Sequence, residues 1–121
     1  MKIMIVDDHA DMRRMIRIII SAGGKWKDEI IECEDGEEAV EQYSIHHPEC
    51  ILMDVQLREM NGFTAAEMIY KQDPKAAVIF VSSHNTSAFR LKASLLGAKG
   101  FVSKENLSEL DSLIHSFTQR G

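Results

Sequence analysis

The sequence is sparing with the residues that mark unusual proteins. Two prolines and 7 glycines among 121 residues leave no collagen-like, low-complexity or linker stretch. Its 2 cysteines, Cys33 and Cys50, have no metal-ligand spacing and fall short of the several pairs of a small secreted domain. Both therefore read as reduced, buried thiols of a cytosolic, cytoplasmic protein. Basic residues are outnumbered, 14 Lys and Arg against 19 Asp and Glu. A net charge of -5 leaves no cationic stripe to displace counterions from a phosphate backbone, so direct nucleic-acid binding by this chain is not expected. Long apolar runs are also missing. The first, Ile3 to Val6, is cut short by Asp7 and Asp8, so it cannot be a signal-peptide core, and no other run approaches a membrane span. The Asn-X-Ser triplets at Asn85 and Asn106 carry no weight without secretion.

What the chain does have is the makings of one ordinary globular domain. It is 45% apolar and 27% charged, and 121 residues can hide roughly two-thirds of their unfolded surface around a single core, so one domain over 1–121 is expected. Short apolar runs containing β-branched residues, at 2–7, 29–34, 49–54, 77–82 and 100–103, alternate with stretches of helical period. Met12, Met15, Ile16, Ile19 and Ile20 recur at steps of three and four, as do Leu107, Leu110, Leu113, Ile114 and Phe117. Asp35 with Glu38, and Asn106 with Glu109, have the spacing of capping boxes, and Asn61-Gly62 marks the turn into a third helix. A fourth helix over 86–96 is less regular, because Phe89, Leu91, Leu95 and Leu96 fall on no single stripe; it offers an apolar edge to a partner. Strict alternation of five strands and five helices, joined by right-handed crossovers, predicts an α/β fold with a parallel sheet covered on both faces. In such sheets the working site lies beyond the carboxyl ends of the strands.

At those ends stand residues that a plain core would not use. Asp7 and Asp8 follow the first run, Asp54 closes the third, Ser82 and Ser83 the fourth, and Lys104 follows the fifth. Parallel strands bring these groups to one edge. Three neighbouring carboxylates raise one another's proton affinity unless a cation holds them ionised, and oxygen-only ligands with room for water favour Mg2+ or Mn2+ over zinc. With such a cation the parts fit phosphoryl transfer, where positioning and charge neutralisation do most of the catalysis. A carboxylate can act as the nucleophile and become an acyl phosphate, while Lys104 pairs with one phosphate oxygen and Ser82 donates to another. Singly, each residue has a plainer use: Asp7 and Asp8 as helix caps, the serines as a strand end, Lys104 as a surface cation. The constellation carries the argument.

The segments Val6-Asp7-Asp8-His9, Leu52-Met53-Asp54-Val55, Met60-Asn61-Gly62, Val81-Ser82-Ser83 and Gly97-Ala98-Lys99-Gly100-Phe101-Val102-Ser103-Lys104, in that order, resemble a bacterial two-component response-regulator receiver domain over essentially the whole chain. The resemblance implies the flavodoxin-like receiver fold, a five-stranded parallel sheet in the order 2-1-3-4-5 flanked by five helices. It implies Asp54 as phosphoacceptor, with Asp8 and the backbone carbonyl of Gln56 as direct Mg2+ ligands beside it and Asp7 acting through water. Lys104 becomes the phosphate's ion-pair partner, Ser82 the hydroxyl that moves toward it, and Phe101 the ring that changes rotamer in step. The implied phosphoryl donor is a sensor histidine kinase. The implied output surface is the face of the fourth helix, fifth strand and fifth helix, engaging an output domain, a partner protein or a second copy; the first and fifth helices offer another dimer face. Asp7-Asp8-His9 and the proline-free Lys104 loop lean toward the subfamily usually fused to a helix-turn-helix output domain, hence toward transcription regulation, although no such domain follows Gly121.

Three positions depart from the commonest family pattern. Arg58 stands four residues after Asp54, where many members have proline, which predicts a looser loop over the site. Glu105 takes the place of a frequent proline after Lys104, where a cis bond costs about 3 kcal/mol more than with proline. Ser83 replaces a small residue such as alanine. His84, two residues past Ser82, and Gln56 are expected to tune how fast water reaches the acyl phosphate. His9, His46, His47 and His115 match no metal-ligand spacing, the 7 methionines fall mostly on helical core faces, and Trp26 reads as a partly exposed packing residue. Two other functions compete. A Mg2+-dependent phosphatase or phosphotransferase working through an aspartyl phosphate needs a second acid two residues past the nucleophile, where Gln56 stands, and a substrate cap for which the chain is too short. A phosphorylation-independent interaction domain has no need of Asp8, Asp54 and Lys104. A receiver is not a turnover enzyme; it catalyses only its own phosphorylation and dephosphorylation.

Overall fold

Successive side chains of a strand point to opposite faces of its sheet, and in this chain both faces are apolar. A computed structural model, which describes residues 1–23 and 29–118, shows the result. Five strands, β1 (Lys2–Val6), β2 (Glu29–Cys33), β3 (Cys50–Asp54), β4 (Val78–Ser82) and β5 (Gly100–Ser103), alternate with α1 (Ala10–Gly23), α2 (Gly36–His46), α3 (Gly62–Gln72), α4 (Ser87–Leu96) and α5 (Glu109–Thr118). Every strand pair is parallel and the order is β2-β1-β3-β4-β5, the order that the resemblance implied.

The alternation divides the core in two. Met4, Val6, Ile51, Met53, Val78 and Phe80 face α2, α3 and α4, where they meet Ala39, Tyr43, Phe63, Ala66, Ile69 and Ala93. Ile3, Ile5, Leu52, Ile79, Val81 and Val102 face α1 and α5, against Ile16, Ile20, Leu110 and Ile114. Cys33 and Cys50 are both buried, one in each core, and burial, helped by Glu38 and Asp35, pushes the Cys33 thiol up to about 12. Among the described residues no helix is long and apolar enough to cross a membrane.

The helix ends follow their capping residues, with adjustments. Asp35 Oδ1 accepts from the Glu38 amide at 2.8 Å, but the Glu38 carboxylate returns to the Glu34 amide, one residue before the cap. Thr86 caps α4 by accepting from the Phe89 amide at 3.1 Å, so that helix begins one residue later than its apolar pattern. Asn106 does not start α5. It ends a 3-10 turn, Lys104–Asn106, whose cap is Ser103, and α5 begins at Glu109. On α1 the expected face is too broad: Met15 is 50% exposed, since it sits about 100° round the helix from the buried Ile16. On α4 only Ala93 is fully buried, Phe89 and Leu96 pack partly, and Leu91 and Leu95 stand out at 60% and 78% exposed. Trp26 and the side chain of Phe117 lie outside the described residues.

One contact fixes the acid edge of the sheet to a helix. Asn61 caps α3 by accepting from the Thr64 amide, and the Gly62 amide donates to the Val55 carbonyl at 2.7 Å. This seats the start of α3 against the end of β3 so closely that a Cβ on Gly62 would fall 2.1 Å from the Asp54 carbonyl oxygen. At Gly100, by contrast, an added Cβ would meet only the movable tip of Leu113. Gly62→Ala is therefore expected to lower stability by about 1–3 kcal/mol in urea unfolding, against the usual gain from alanine in a helix, because backbone must shift to admit the methyl.

Candidate functional site

The strand registers level the ends of the sheet. Val6 pairs with Met53 and Asp54 with Val81, so Asp7, just past β1, comes beside Asp54 at the end of β3. Ser82 pairs with Ser103, which brings Lys104 to the same edge. There the Lys104 ammonium lies 3.0 Å from Asp7 Oδ2 and 3.0 Å from Asp54 Oδ2. Asp54 Oδ1 accepts from the Gln56 amide at 3.2 Å, and Asp7 Oδ1 from the His9 amide at 2.9 Å. Asp7 and Asp54 are both buried, at 1% and 4% exposed, which no carboxylate tolerates without partners.

One ammonium serves two buried carboxylates, and the balance shows in the acidities of Asp54 and Lys104. Burial is the largest influence on Asp54 and raises its proton affinity; attraction and a hydrogen bond from Lys104 pull it down, Asp7 pushes it up, and the net direction is upward. For Lys104 burial favours the neutral amine, but the hydrogen bond to Asp7 and the pull of Asp54 outweigh it, so the ammonium is held more firmly than usual. The lysine gains two acids; each acid gains half a lysine.

Asp8 stands apart from that bridge. His9 Nδ1 is 3.0 Å from Asp8 Oδ1 but out of line for a hydrogen bond, and among the described residues that oxygen is the buried side-chain polar atom left without one. Asp8 does not cap α1 through Oδ1; the first turn closes on the His9 carbonyl, to which the Met12 and Arg13 amides donate. Ligand atoms of Asp7, Asp8, His9 and Asp54 all lie within 4.8 Å of one another. A buried, unbonded carboxylate oxygen within an acidic cluster suits a hard divalent cation, which takes oxygen ligands and offsets the excess negative charge. The donor set fits such an ion.

The remaining predicted residues are arranged around this centre. Ser82 is fully buried, and its hydroxyl oxygen accepts from the His84 amide at 3.0 Å. The Gln56 side chain is exposed, as is His84, whose ring lies 3.4 Å from the Ser83 hydroxyl and tilts toward Phe89. Phe101 is half-buried on β5. Arg90 of α4 lies over its ring at 5.0 Å, donates to the Phe101 carbonyl at 3.4 Å and also bonds the Asn85 side chain. Between α4 and β5 is a cleft of about 230 Å3, lined in part by Arg90, Ala93 and Phe101. His46, His47 and His115 lie on α2, just after it and on α5, outside the acidic cluster.

Three contributions were missed from the sequence. His9 reaches both neighbouring aspartates, which its place in Asp7-Asp8-His9 could have signalled. Arg58 reaches Asp8, its Nε 3.7 Å from Oδ2. The loop that carries it is not slack: the Met60 amide donates to the Arg58 carbonyl, Gly62 closes onto Val55, and Glu59 takes a left-handed φ of 66°. The Lys104-Glu105 peptide is trans, as are all peptides among the described residues. The third is Gly62, read as a turn residue but set by its approach to Asp54.

Comparison with known proteins identifies the family and agrees with the fold. Residues 3–115 match the Response regulator receiver domain family. The chemotaxis protein CheY of Bacillus subtilis is 38% identical over 103 residues, 85% of this chain and 84% of that protein. The transcriptional regulatory protein DegU of Brevibacillus brevis is 30% identical over 115 residues, 95% of this chain but 48% of that protein. A crystal structure of a LuxR-family two-component response regulator from Aurantimonas superposes with a TM-score of 0.88 at 33% identity, covering 95% of this chain and 82% of that one.

The raised pKa of Asp54 has a sign that can be tested without any cation. A carboxyl group with a higher pKa in the folded than in the unfolded state favours folding below its unfolded value, about 3.9, and loses that contribution as pH rises through the folded value. In EDTA, Asp54→Asn is therefore expected to be more stable than the parent at neutral pH. The difference in thermal midpoint should open as pH rises through this window and level off above it.

Proposed function

Because the chain belongs to the response regulator receiver domain family of two-component systems, we propose that it is a cytoplasmic signalling switch that takes a phosphoryl group onto Asp54 from a sensor histidine kinase. The observation that carries the proposal is the single lysine, 3.0 Å from both Asp7 and Asp54, beside an Asp8 oxygen with no hydrogen bond. When bound, Mg2+, or Mn2+ in its place, would be held by Asp8, Asp54 and the Gln56 carbonyl, with Asp7 reached through water, and would neutralise charge on the phosphoryl oxygens.

The chain's own groups do the rest. An Asp54 carboxylate oxygen forms the new bond to phosphorus while the P–N bond of the donor phosphohistidine breaks, its electron pair leaving on the ring nitrogen. Lys104 shifts its hold from Asp54 to a phosphoryl oxygen and keeps Asp7 as its counter-charge throughout. Ser82 exchanges the His84 amide, a bond of net worth about 1 kcal/mol, for a charge-assisted bond to another phosphoryl oxygen. Phe101 changes rotamer with it. Hydrolysis reverses the state: water attacks phosphorus, the P–O bond breaks, and the Asp54 carboxylate and inorganic phosphate are released. The exposed side chains of Gln56 and His84 would govern how fast that water arrives.

The output passes through the face of α4, β5 and α5, where the cleft beside Phe101 and the exposed Leu91 and Leu95 offer an apolar edge. Its recipient is an attached domain, a separate partner or a second copy, with the exposed Met15 and Ile18 of α1 as a further dimer contact beside α5. Attachment of the kind suggested by similarity to DegU would make the output transcriptional control.

Incubation with Mg2+ and a small acyl phosphate is expected to add one phosphoryl group to the intact mass, and none to Asp54→Asn. Continuous phosphate release from other esters would instead mark an aspartyl-phosphate phosphatase, and an unchanged mass an interaction domain. In the same assay Gln56→Ala and His84→Ala are each expected to change the half-life of the phosphorylated protein; unaltered lifetimes would reject the tuning role.

A further inference from the structure

Lys104 answers two of the three carboxylates and leaves Asp8 to others. His9 shares its ring between Asp8 and Asp7, and the permanently charged group at hand is Arg58, whose Nε stands 3.7 Å from Asp8 Oδ2, within the range of an ion pair and beyond that of a hydrogen bond. Its side chain is 71% exposed, so the attraction is weak, and no other ion pair or hydrogen bond to the head group is found among the described residues. The backbone beneath it is fixed, by the Met60 amide on the Arg58 carbonyl at 2.7 Å and by Gly62 on Val55. Only the side chain is free to turn. On its other side Arg58 borders a cleft of about 140 Å3 that it shares with Glu34, Asp35 and Glu59. Across that cleft Asp35 is committed to capping α2, whereas Glu34 has only Arg13 at 3.9 Å, so Glu34 has the weaker tie of the two.

A guanidinium standing between one lone carboxylate of the acid pocket and a second acidic cleft has two resting places. We infer that Arg58 is a resident counter-ion of Asp8, which a divalent cation displaces into the Glu34 side of the neighbouring cleft, so that this residue sets how tightly the pocket holds the cation. Binding is then an exchange of one cation for another at Asp8. This rests on the reading of the acid pocket as a divalent-cation site.

Calorimetric titration of the unphosphorylated full chain with Mg2+ at low ionic strength separates the two. Arg58→Gln is expected to tighten Mg2+ binding roughly two- to five-fold, the range a weak exposed ion pair can supply. Glu34→Gln is expected to weaken it in the parent and to have no effect in the Arg58→Gln background. Measurable binding with the same dissociation constant in parent and Arg58→Gln, or weaker binding in the variant, overturns the counter-ion. An equal loss from Glu34→Gln in both backgrounds overturns the displacement into the cleft, leaving Glu34 as a remote charge. Absence of Mg2+ binding in parent and variant alike overturns the acid-pocket reading itself, and the counter-ion with it.

Discussion

The site depends on one ammonium group shared between two buried acids. Asp7 and Asp54 arrive from different strands and Lys104 from the end of a third, and burial would make either carboxylate costly alone. Because the lysine divides its charge, neither acid is fully compensated. The upward direction for Asp54 and the strengthened Lys104 ammonium are two views of that inequality. A pocket left short of positive charge is suited to receive it, and one whose lysine already has a second partner can give up the first without stranding a charge.

The fold serves this arrangement by burying the sheet on both faces and leaving only its ends polar. Two apolar cores, one under α2, α3 and α4 and the other under α1 and α5, hold the strands in register. Polar chemistry is thereby confined to where the strands stop. The start of α3 is pressed onto the Asp54 carbonyl with room only for a glycine, so the backbone of Asp54 is anchored even as its side chain faces the pocket. The same economy of space is absent at Gly100, where a flexible leucine tip is the neighbour.

Much of this was legible in the sequence because it follows from period and burial. Strands buried on both faces, such as β1, β3 and β4, are continuous apolar runs, and all five strands were bounded within a residue or so; the ends of the first, third, fourth and fifth runs named their polar residues. The strand order was not read from the residues and came from a family resemblance. What escaped was what depends on geometry between segments. The ring of His9 and the reach of Arg58 toward Asp8 are distances that no spacing encodes, and a proline-for-arginine exchange argued for a loose loop that two backbone hydrogen bonds in fact close. Met15 had the right step along α1 but the wrong side of its stripe, and Asn106 had a cap's spacing inside a turn that Ser103 had already capped.

Arg90 grips three things at once: the side chain of Asn85 in the loop after β4, the ring of Phe101 and that residue's carbonyl on β5. The segment that follows Ser82 and the aromatic on the next strand thus share a tether. Displacing either would therefore pull on the other through the same guanidinium. A linkage of this kind would couple motion of the loop after β4 to motion of the Phe101 ring.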